Sequence, residues 1–391
     1  MNLYASYFEH PFKTRTHVEK LTHMKLPAIS LCSKNFDTLA NATDAERDAM
    51  ITLLIYRLFN NASSMGYSEA FAKTAVSAPY NPGIKKEDFI LKAYVRAREI
   101  DIAAEFEVSE NYLSGPCFVF NGMKDGYTQR EITLGHGENL YMFLNIDQGR
   151  YLARDTAAGV NVIFHDPNDK LSSHSQSVVV APGMSTTIGL TPTQYKFLPK
   201  PFKSFGDEGC MNDHDILKLK KLRWHRKYTW WSCVEECIFL QAVHVCKCQP
   251  DSGVPLKTWK LAYLQNGSAC QCPQPCHFVK YDLRTSLAAF PSHMISESLL
   301  RNGHAESYQQ IRDDFMEVRV TFDGMILYHV EHVPEITPSD IFGKLGGQMG
   351  FFLGASLLTL TELIEVVIRT VLIVVFEIIG RRNNAVVNGK Y

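Results

Sequence analysis

A largely apolar run over residues 345–379, LGGQMGFFLGASLLTLTELIEVVIRTVLIVVFEII, constrains this chain more than any other feature, because its length and composition suit a lipid bilayer better than a soluble core. Roughly 20 apolar residues cross a hydrocarbon layer of about 30 Å. The run is nevertheless polar for a plain anchor, since Gln348, Glu362, Glu365, Arg369 and Glu377 lie within it. A charge at mid-membrane costs at least about 2.5 kcal/mol, so ionisable residues there face a bundle interior or a water-filled path. The glycines add to this. Gly346, Gly350 and Gly354 form two overlapping G-x-x-x-G units, and Gly343 and Gly347 extend the small-residue face. Such a face lets helices approach closely. Where several copies meet around an axis, it also leaves backbone carbonyls and the Ser356 hydroxyl to contact an ion. Glu362 and Glu365 follow on roughly the same face. Conduction is one expectation; a packed single-pass anchor whose glycines serve dimerisation is the other.

The remaining composition places most of the chain outside a cell. With 46% hydrophobic residues among 391, a large core can be buried, and a formal charge of -1 gives no global attraction to nucleic acid or to a membrane surface. Ten cysteines and the three N-x-[ST] sequons at Asn41, Asn61 and Asn266 all precede the apolar run, the pattern of an exported domain with glycosylation sites. Arg381, Arg382 and Lys390 follow it, which the positive-inside tendency assigns to the cytoplasm. The expected organisation is an extracellular domain over residues 1–340, a transmembrane helix over 341–379 and a short cytoplasmic tail over 380–391.

Cysteine spacing carries its own geometry. Cys233 and Cys237 stand at i, i+4 in the helical pattern TWWSCVEECIFLQAV, which stacks their side chains about 6 Å apart on one face. Cys270 and Cys272 stand at i, i+2 in a segment that reads as extended, with a matching same-face spacing of about 6.6 to 6.8 Å. Nested rungs from Cys233 to Cys272 and from Cys237 to Cys270 would join the two elements, with Cys210 to Cys276 outside them. A zinc site is the rival reading of the same spacings.

Along the chain, the order of elements reads as α+β. Thr43 followed by Glu46 is a capping box opening the helical pattern DAERDAMITLLIYRLFN, and a second helix is predicted through KKEDFILKAYVRAREI. The short runs CFVFN, LYMFLNI, NVIFH and SVVVA predict strands. Helices are predicted again over residues 215–245 and within 288–314, before the extended FMEVRVTF.

Seven motifs, LPAISLCSKN, GPCFVFNG, GENLYMFLNIDQGRYL, VAPGMSTTIGL with YKFLPKP, CQCPQPC, GGQMGFFLGAS and LTELIE, resemble the degenerin/epithelial sodium channel family, in detail its acid-sensing and peptide-gated members. The resemblance implies a trimeric, sodium-selective, amiloride-sensitive channel of the plasma membrane, a homo- or heterotrimer of family subunits embedded in lipid. Each subunit has two membrane helices, cytoplasmic termini and a disulfide-rich, hand-shaped ectodomain open to an extracellular peptide or proton ligand. Sodium is the permeant ion and no cofactor is implied. By position, Gly354, Ala355 and Ser356 match the pore constriction, Gly343 the small residue at the outer mouth, and Glu362 and Glu365 the acidic lining of the inner pore. The resemblance also pairs Cys32 with Cys117 and assigns the three rungs above.

The departures matter equally. Cys246 and Cys248 match family cysteines whose partners fall within residues 250–269, where this chain has none. Lys344 replaces an acidic residue beside Gly343, and LKLKKLRWHRK is cationic where acid-sensing relatives are acidic, which argues against proton sensing. The opening MNLYASYFEHPFKTRTHVEK corresponds to the stretch just after the family's first membrane helix. The sequence as given is therefore expected to lack that helix, to be truncated at its N-terminus and to carry no current alone. The alternative is a non-conducting regulatory subunit or a single-pass cell-surface receptor. An enzyme is not expected, because H-E-x-x-H, G-x-S-x-G and a phosphate-binding loop are missing from the sequence. His136, His165 and His329 show no ligand spacing and read as structural.

Overall fold

The structure, a computed structural model, describes residues 3–34, 85–111, 115–122, 131–133, 140–150, 157–167, 175–207, 209–212, 214–216, 222–223, 227–246, 270–353 and 357–387. The chain forms two compact units, one of Thr14–His332 and one of Met1–Lys13 with Val333–Tyr391.

Eighteen strands run through the described residues in chain order: β1 Phe12–Lys20, β2 His23–Lys25, β3 Ala28–Ser33, β4 Ile90–Val95, β5 Arg98–Glu99, β6 Phe106–Asn111, β7 Gly115–Phe120, β8 Glu131–Thr133 and β9 Leu140–Asn145. They continue with β10 Val160–His165, β11 Gln176–Val180, β12 Met184–Lys196, β13 Ser204–Asp207, β14 Cys210–Met211, β15 Gln274–Pro275, β16 His277–Ala289, β17 Phe315–Phe322 and β18 Ile326–Pro334. An eight-stranded sheet has the order β1-β18-β12-β17-β9-β4-β5, with β16 also on β12, and a five-stranded sheet has the order β11-β10-β3-β7-β6. With the helices described below, the architecture is α+β and rich in sheet.

The two sheets share one hydrophobic core. On β9 the burial alternates along LYMFLN, so Leu140, Met142 and Leu144 point inward, the period-2 signature of a half-buried strand. They pack in one cluster with Ile188 and Val318 of the same sheet and with Ile29, Leu31, Phe120 and Val162 of the other. Each such side chain contributes about 1.5–3 kcal/mol by leaving water. β3 is buried at every position because it lies in the middle of the five-stranded sheet with core on both sides.

β12 organises the larger sheet. It runs antiparallel to β16 along its whole length, from Met184 opposite Ala289 to Lys196 opposite His277. Its other edge is shared: residues 185–190 pair in parallel with β17, and residues 193–196 in parallel with β18. β17 and β18 thus follow one edge in one direction, interrupted only at residues 323–325. A buried carboxylate ties the sheet together laterally. Glu317 of β17, 4% exposed, accepts from the Tyr141 hydroxyl of β9 at 3.0 Å and from the Ser185 hydroxyl of β12 at 2.7 Å, and it ion-pairs with Arg319.

One predicted helix is corrected. KKEDFILKAYVRAREI is helical only over Lys86–Phe89 and then becomes β4 and β5. Ile90 and Ala93 are drawn into the core and β4 pairs with β9 through a bulge between Ile90 and Lys92, so tertiary pairing overrides a helical period. The predicted DAERDAMITLLIYRLFN helix lies outside the described residues. CFVFN, LYMFLNI, NVIFH, SVVVA and FMEVRVTF fall on β7, β9, β10, β11 and β17. The predicted 215–245 helix is described as Trp230–Cys246, and residues 288–314 contain helices His293–Arg301 and Tyr308–Asp314.

Candidate functional site

Within the larger unit the cysteines brace the fold. Cys32 and Cys117 are directly opposed on antiparallel β3 and β7 and are bonded across the strands, with 4.3 Å between their Cα atoms. Cys210–Cys276, Cys233–Cys272 and Cys237–Cys270 are also disulfides, with Cα separations of 5.1, 5.8 and 6.0 Å. Sulfurs bonded to each other are not thiolate ligands, so the zinc reading of these spacings is overturned. One detail differs from the expected helix-on-strand geometry. The Cys272 N–H donates to the Cys270 carbonyl at 2.8 Å, which makes the CQC segment a tight turn instead of a strand. Cys246 ends the Trp230–Cys246 helix. Cys248 lies outside the described residues, as do Asn41, Asn61 and Asn266.

The cationic run LKLKKLRWHRK is described only at Leu222, Arg223 and Lys227. Lys227 forms an ion pair with Asp166, just beyond β10, and the Arg223 N–H donates to the buried Glu236 carboxylate at 2.6 Å. The Lys227 charge is thus paired, and Arg223 is held through its backbone N–H.

In the smaller unit, the segment that precedes the C-terminal helices is fixed by local polar chemistry. The Glu335 N–H donates to the Pro11 carbonyl at 2.9 Å. Thr337 and Asp340 form a reciprocal cap at the head of the helix Pro338–Leu353: the Thr337 N–H and hydroxyl donate to Asp340 Oδ2 at 2.9 and 2.7 Å, and the Asp340 N–H donates to the Thr337 hydroxyl at 3.3 Å. This satisfies donors that helix geometry leaves unpaired. Hydrogen bonding from Thr337, assisted by Lys344 and Lys13, holds the Asp340 carboxyl below its ordinary value.

Gly343 and Lys344 follow on that helix. A Cβ built at Gly343, Gly346, Gly347 or Gly350 meets nothing within 4 Å. The glycine face seen in the sequence is therefore bare among the described residues. Gly354, Ala355 and Ser356 lie outside the described residues.

The second helix, Leu357–Val387, has 31 residues. At 1.5 Å per residue it is about 46 Å long, more than a hydrocarbon layer requires. Its apolar side chains are exposed within this chain, Leu358 and Phe376 each by 70%. Among the described residues no helix is both long and apolar enough to cross a membrane. Charge is the reason here, because Glu362, Glu365 and Arg369 occupy the first half of the helix and Glu377, Arg381 and Arg382 the second. The helix also begins and ends away from the limits of the predicted span.

The distribution of those charges is not random. At 100° per residue, Glu362, Glu365, Arg369 and Glu377 fall within an arc of about 120°, and Leu360, Ile364, Val367, Val371 and Val375 face the opposite way. Arg369 donates to Glu365 one turn back at 2.6 Å. Thr361 and Thr370 donate to the carbonyls of Leu358 and Val366 at 2.7 and 2.8 Å, so their hydroxyls are satisfied without water. Glu362 has no such partner among the described residues. The arrangement is a polar stripe with a carboxylate free to meet a cation, on an otherwise apolar rod.

The sequence reading missed β1, β18 and the Thr337–Asp340 cap. The T-x-x-D signal for the cap was present in TPSD; the pairing of β1 with β18 had no local signal.

A sequence model for a family described as amiloride-sensitive sodium channel matches residues 1–366. The chain is 27% identical over 386 residues to acid-sensing ion channel 4-B of Danio rerio, an alignment covering 92% of this chain and 66% of that protein. It is 28% identical over 273 residues to acid-sensing ion channel 2 of Danio rerio, covering 64% and 49%. It is 23% identical over 401 residues to acid-sensing ion channel 1 of Gallus gallus, covering 92% and 73%. The chain thus spans about half to two thirds of the length of most of these relatives. Among solved structures, a cryo-EM structure of a proton-activated chloride channel overlays with a TM-score of 0.35 at 9% identity, covering 92% of this chain and 88% of that one.

Proposed function

The chain belongs to the amiloride-sensitive sodium channel family, and from that premise we propose that it is a subunit of a trimeric, sodium-selective, amiloride-sensitive channel of the plasma membrane. The family is one of ion channels, which are not enzymes. In this reading Thr14–His332 is the extracellular unit, glycosylated at Asn41, Asn61 and Asn266 and opened by an extracellular ligand, a peptide or protons. The helix Leu357–Val387 crosses the bilayer, with its apolar arc toward lipid or neighbouring subunits and its polar stripe toward the ion path. Glu362 and Glu365 attract sodium along that path, residues 354–356 set its constriction, and Gly343 with Lys344 stands at its outer mouth.

The observation that carries the reading is the one-sided placement of Glu362, Glu365 and Arg369 on a long exposed apolar helix. Lipid would charge several kcal/mol against such a stripe unless it faced water or other protein. The test is the current. When this chain is expressed with an acid-sensing channel subunit under voltage clamp, Glu362→Gln or Glu365→Gln should alter unitary conductance. Currents indistinguishable from those of the relative alone would overturn the reading.

Lys344 supports a second reading, a non-conducting regulatory subunit. A cation beside Gly343 repels sodium within about one Debye length, roughly 8 Å at physiological salt. Surface-labelled protein that suppresses a relative's current, with Lys344→Asp relieving the suppression, would favour it.

A further inference from the structure

We propose that His17, His329 and Glu19 form a closing site for a divalent transition-metal ion of the zinc, copper or nickel class, tying β1 to β18. All three residues belong to the larger unit, and the site depends on the pairing of two strands alone. It goes beyond the channel reading, and binding and conduction can fail separately.

The strands β1 and β18 are neighbours in the sheet, and the Leu21 N–H just past β1 donates to the Met325 carbonyl just before β18 at 2.8 Å, so they run in opposite directions. The imidazoles of His17 and His329 stack with centroids 4.4 Å apart and planes 5° from parallel. His329 Nε2 lies 2.9 Å from Glu19 Oε2. That separation has a second chemical meaning beyond a hydrogen bond. Two ligand atoms, each about 2.0–2.1 Å from an ion, are about 2.9 Å apart at the right angle of tetragonal copper or nickel and about 3.3 Å apart at the tetrahedral angle of zinc. The imidazole nitrogen and the carboxylate oxygen already stand at a metal's bite.

The third ligand must move. Parallel stacked rings have parallel lone pairs, and among the described residues no three His, Cys, Asp or Glu side chains are already gathered for a metal. His17 is the exposed member of the pair, so it can turn about its side-chain torsions without disturbing the core. The His329 side chain is only 14% exposed, whereas that of Glu19 is 52% exposed, which gives a shielded anchor beside a solvent-facing oxygen. Strand alternation puts Arg15 and Glu331 on the same faces as His17 and His329. Glu331 stands opposite Lys196 of β12, so the carboxylates of Glu19 and Glu331 are balanced by Arg15 and Lys196, and the patch does not repel a cation. Two imidazoles with one carboxylate suit zinc, copper and nickel better than calcium or magnesium, which prefer all-oxygen shells.

The experiment uses the full chain, purified in detergent, titrated with Cu2+ and followed by electron paramagnetic resonance. The expected spectrum contains superhyperfine splitting from two imidazole nitrogens. Loss of a supporting residue near a metal site typically weakens binding about 10–100-fold, so loss of a ligand should cost at least that much. His17→Ala and His329→Ala should therefore each weaken Cu2+ binding by at least about tenfold and remove one nitrogen coupling, and Glu19→Gln should weaken it without changing the nitrogen count. His17→Phe keeps a ring over His329 and serves as the control for folding; it should melt like the native chain in the absence of metal and still lose the ion. A Cu2+ spectrum and affinity unchanged in the His17→Ala, His329→Ala double variant would assign the binding to other histidines and overturn the proposal, as would no saturable binding by the native chain.

Discussion

Gly189 of β12 lies so close to the carboxylate of Asp323 that a Cβ at that glycine would stand 2.0 Å from Asp323 Oδ1. Asp323 occupies the break between β17 and β18, where its N–H donates to the Leu190 carbonyl at 3.1 Å and its Oδ2 accepts from the Thr191 hydroxyl at 3.2 Å. Gly189→Ala should therefore push the exposed Asp323 carboxylate aside and lose its hydrogen bond from Thr191, a cost of about 0.5–1.5 kcal/mol. Adding Asp323→Ala should then cost less than it does alone. Thermal melts of the single and double variants check the coupling; purely additive losses would show that the two side chains do not collide.

The disulfides should differ in worth according to the chain they close. Cys32–Cys117 spans 85 residues and Cys237–Cys270 spans 33. In the chain-entropy account these loops correspond to about 4.6 and about 3.7 kcal/mol. Replacing Cys32 and Cys117 by Ser should lower the melting temperature more than replacing Cys237 and Cys270, and the order should vanish in strong reductant.

Removing the Glu317 carboxylate should be among the more damaging changes in the sheet. Glu317→Ala removes one ion-pair partner of the part-exposed Arg319 and withdraws the acceptor of Tyr141 and Ser185, a class of change that costs about 1–3 kcal/mol. Glu317→Gln keeps an acceptor oxygen and should cost less. Denaturant midpoints of the two variants check the difference.

His332 packs its ring 4.3 Å from that of Phe197, with Nδ1 3.3 Å from the Ser204 hydroxyl. Burial pushes its imidazole below its ordinary value. A base whose folded value is depressed favours the folded state when neutral. Its contribution is complete above about pH 6.5 and is lost as pH falls below that value. Titrating the His332 ring protons by NMR should give a midpoint below 6.5. In His332→Phe, this component of acid destabilisation should disappear.

What could be read from the sequence was what depends on near neighbours. Alternation along LYMFLN fixed an inward face for β9, and i, i+4 cysteines in a helical pattern found partners at the complementary spacing in CQC. The resemblance supplied the Cys32–Cys117 pairing, which spacing alone does not. The misread segment was KKEDFILKAYVRAREI, where a plausible helical period lost to strand pairing with β9. The His17, Glu19 and His329 cluster was invisible for a different reason: the Glu19–His329 contact spans 310 residues, and only sheet order brings the two together. On the C-terminal helix, the charges were legible, and so was their sidedness, because 3.6 residues per turn is a local rule.

The division of one β12 edge between β17 and β18 limits how this part of the molecule can move. Sliding β18 along β12 by one residue would turn every one of its side chains to the other face, and sliding by two would shift it about 6.6 Å and break the whole ladder at once. Swinging it about residues 323–325 with β1 still paired to it breaks the same four pairs, from Thr193–Tyr328 to Lys196–Glu331, but leaves every side chain on its own face. β18 is thus a lever with a fulcrum at Asp323, where the backbone bond to Leu190 holds the pivot.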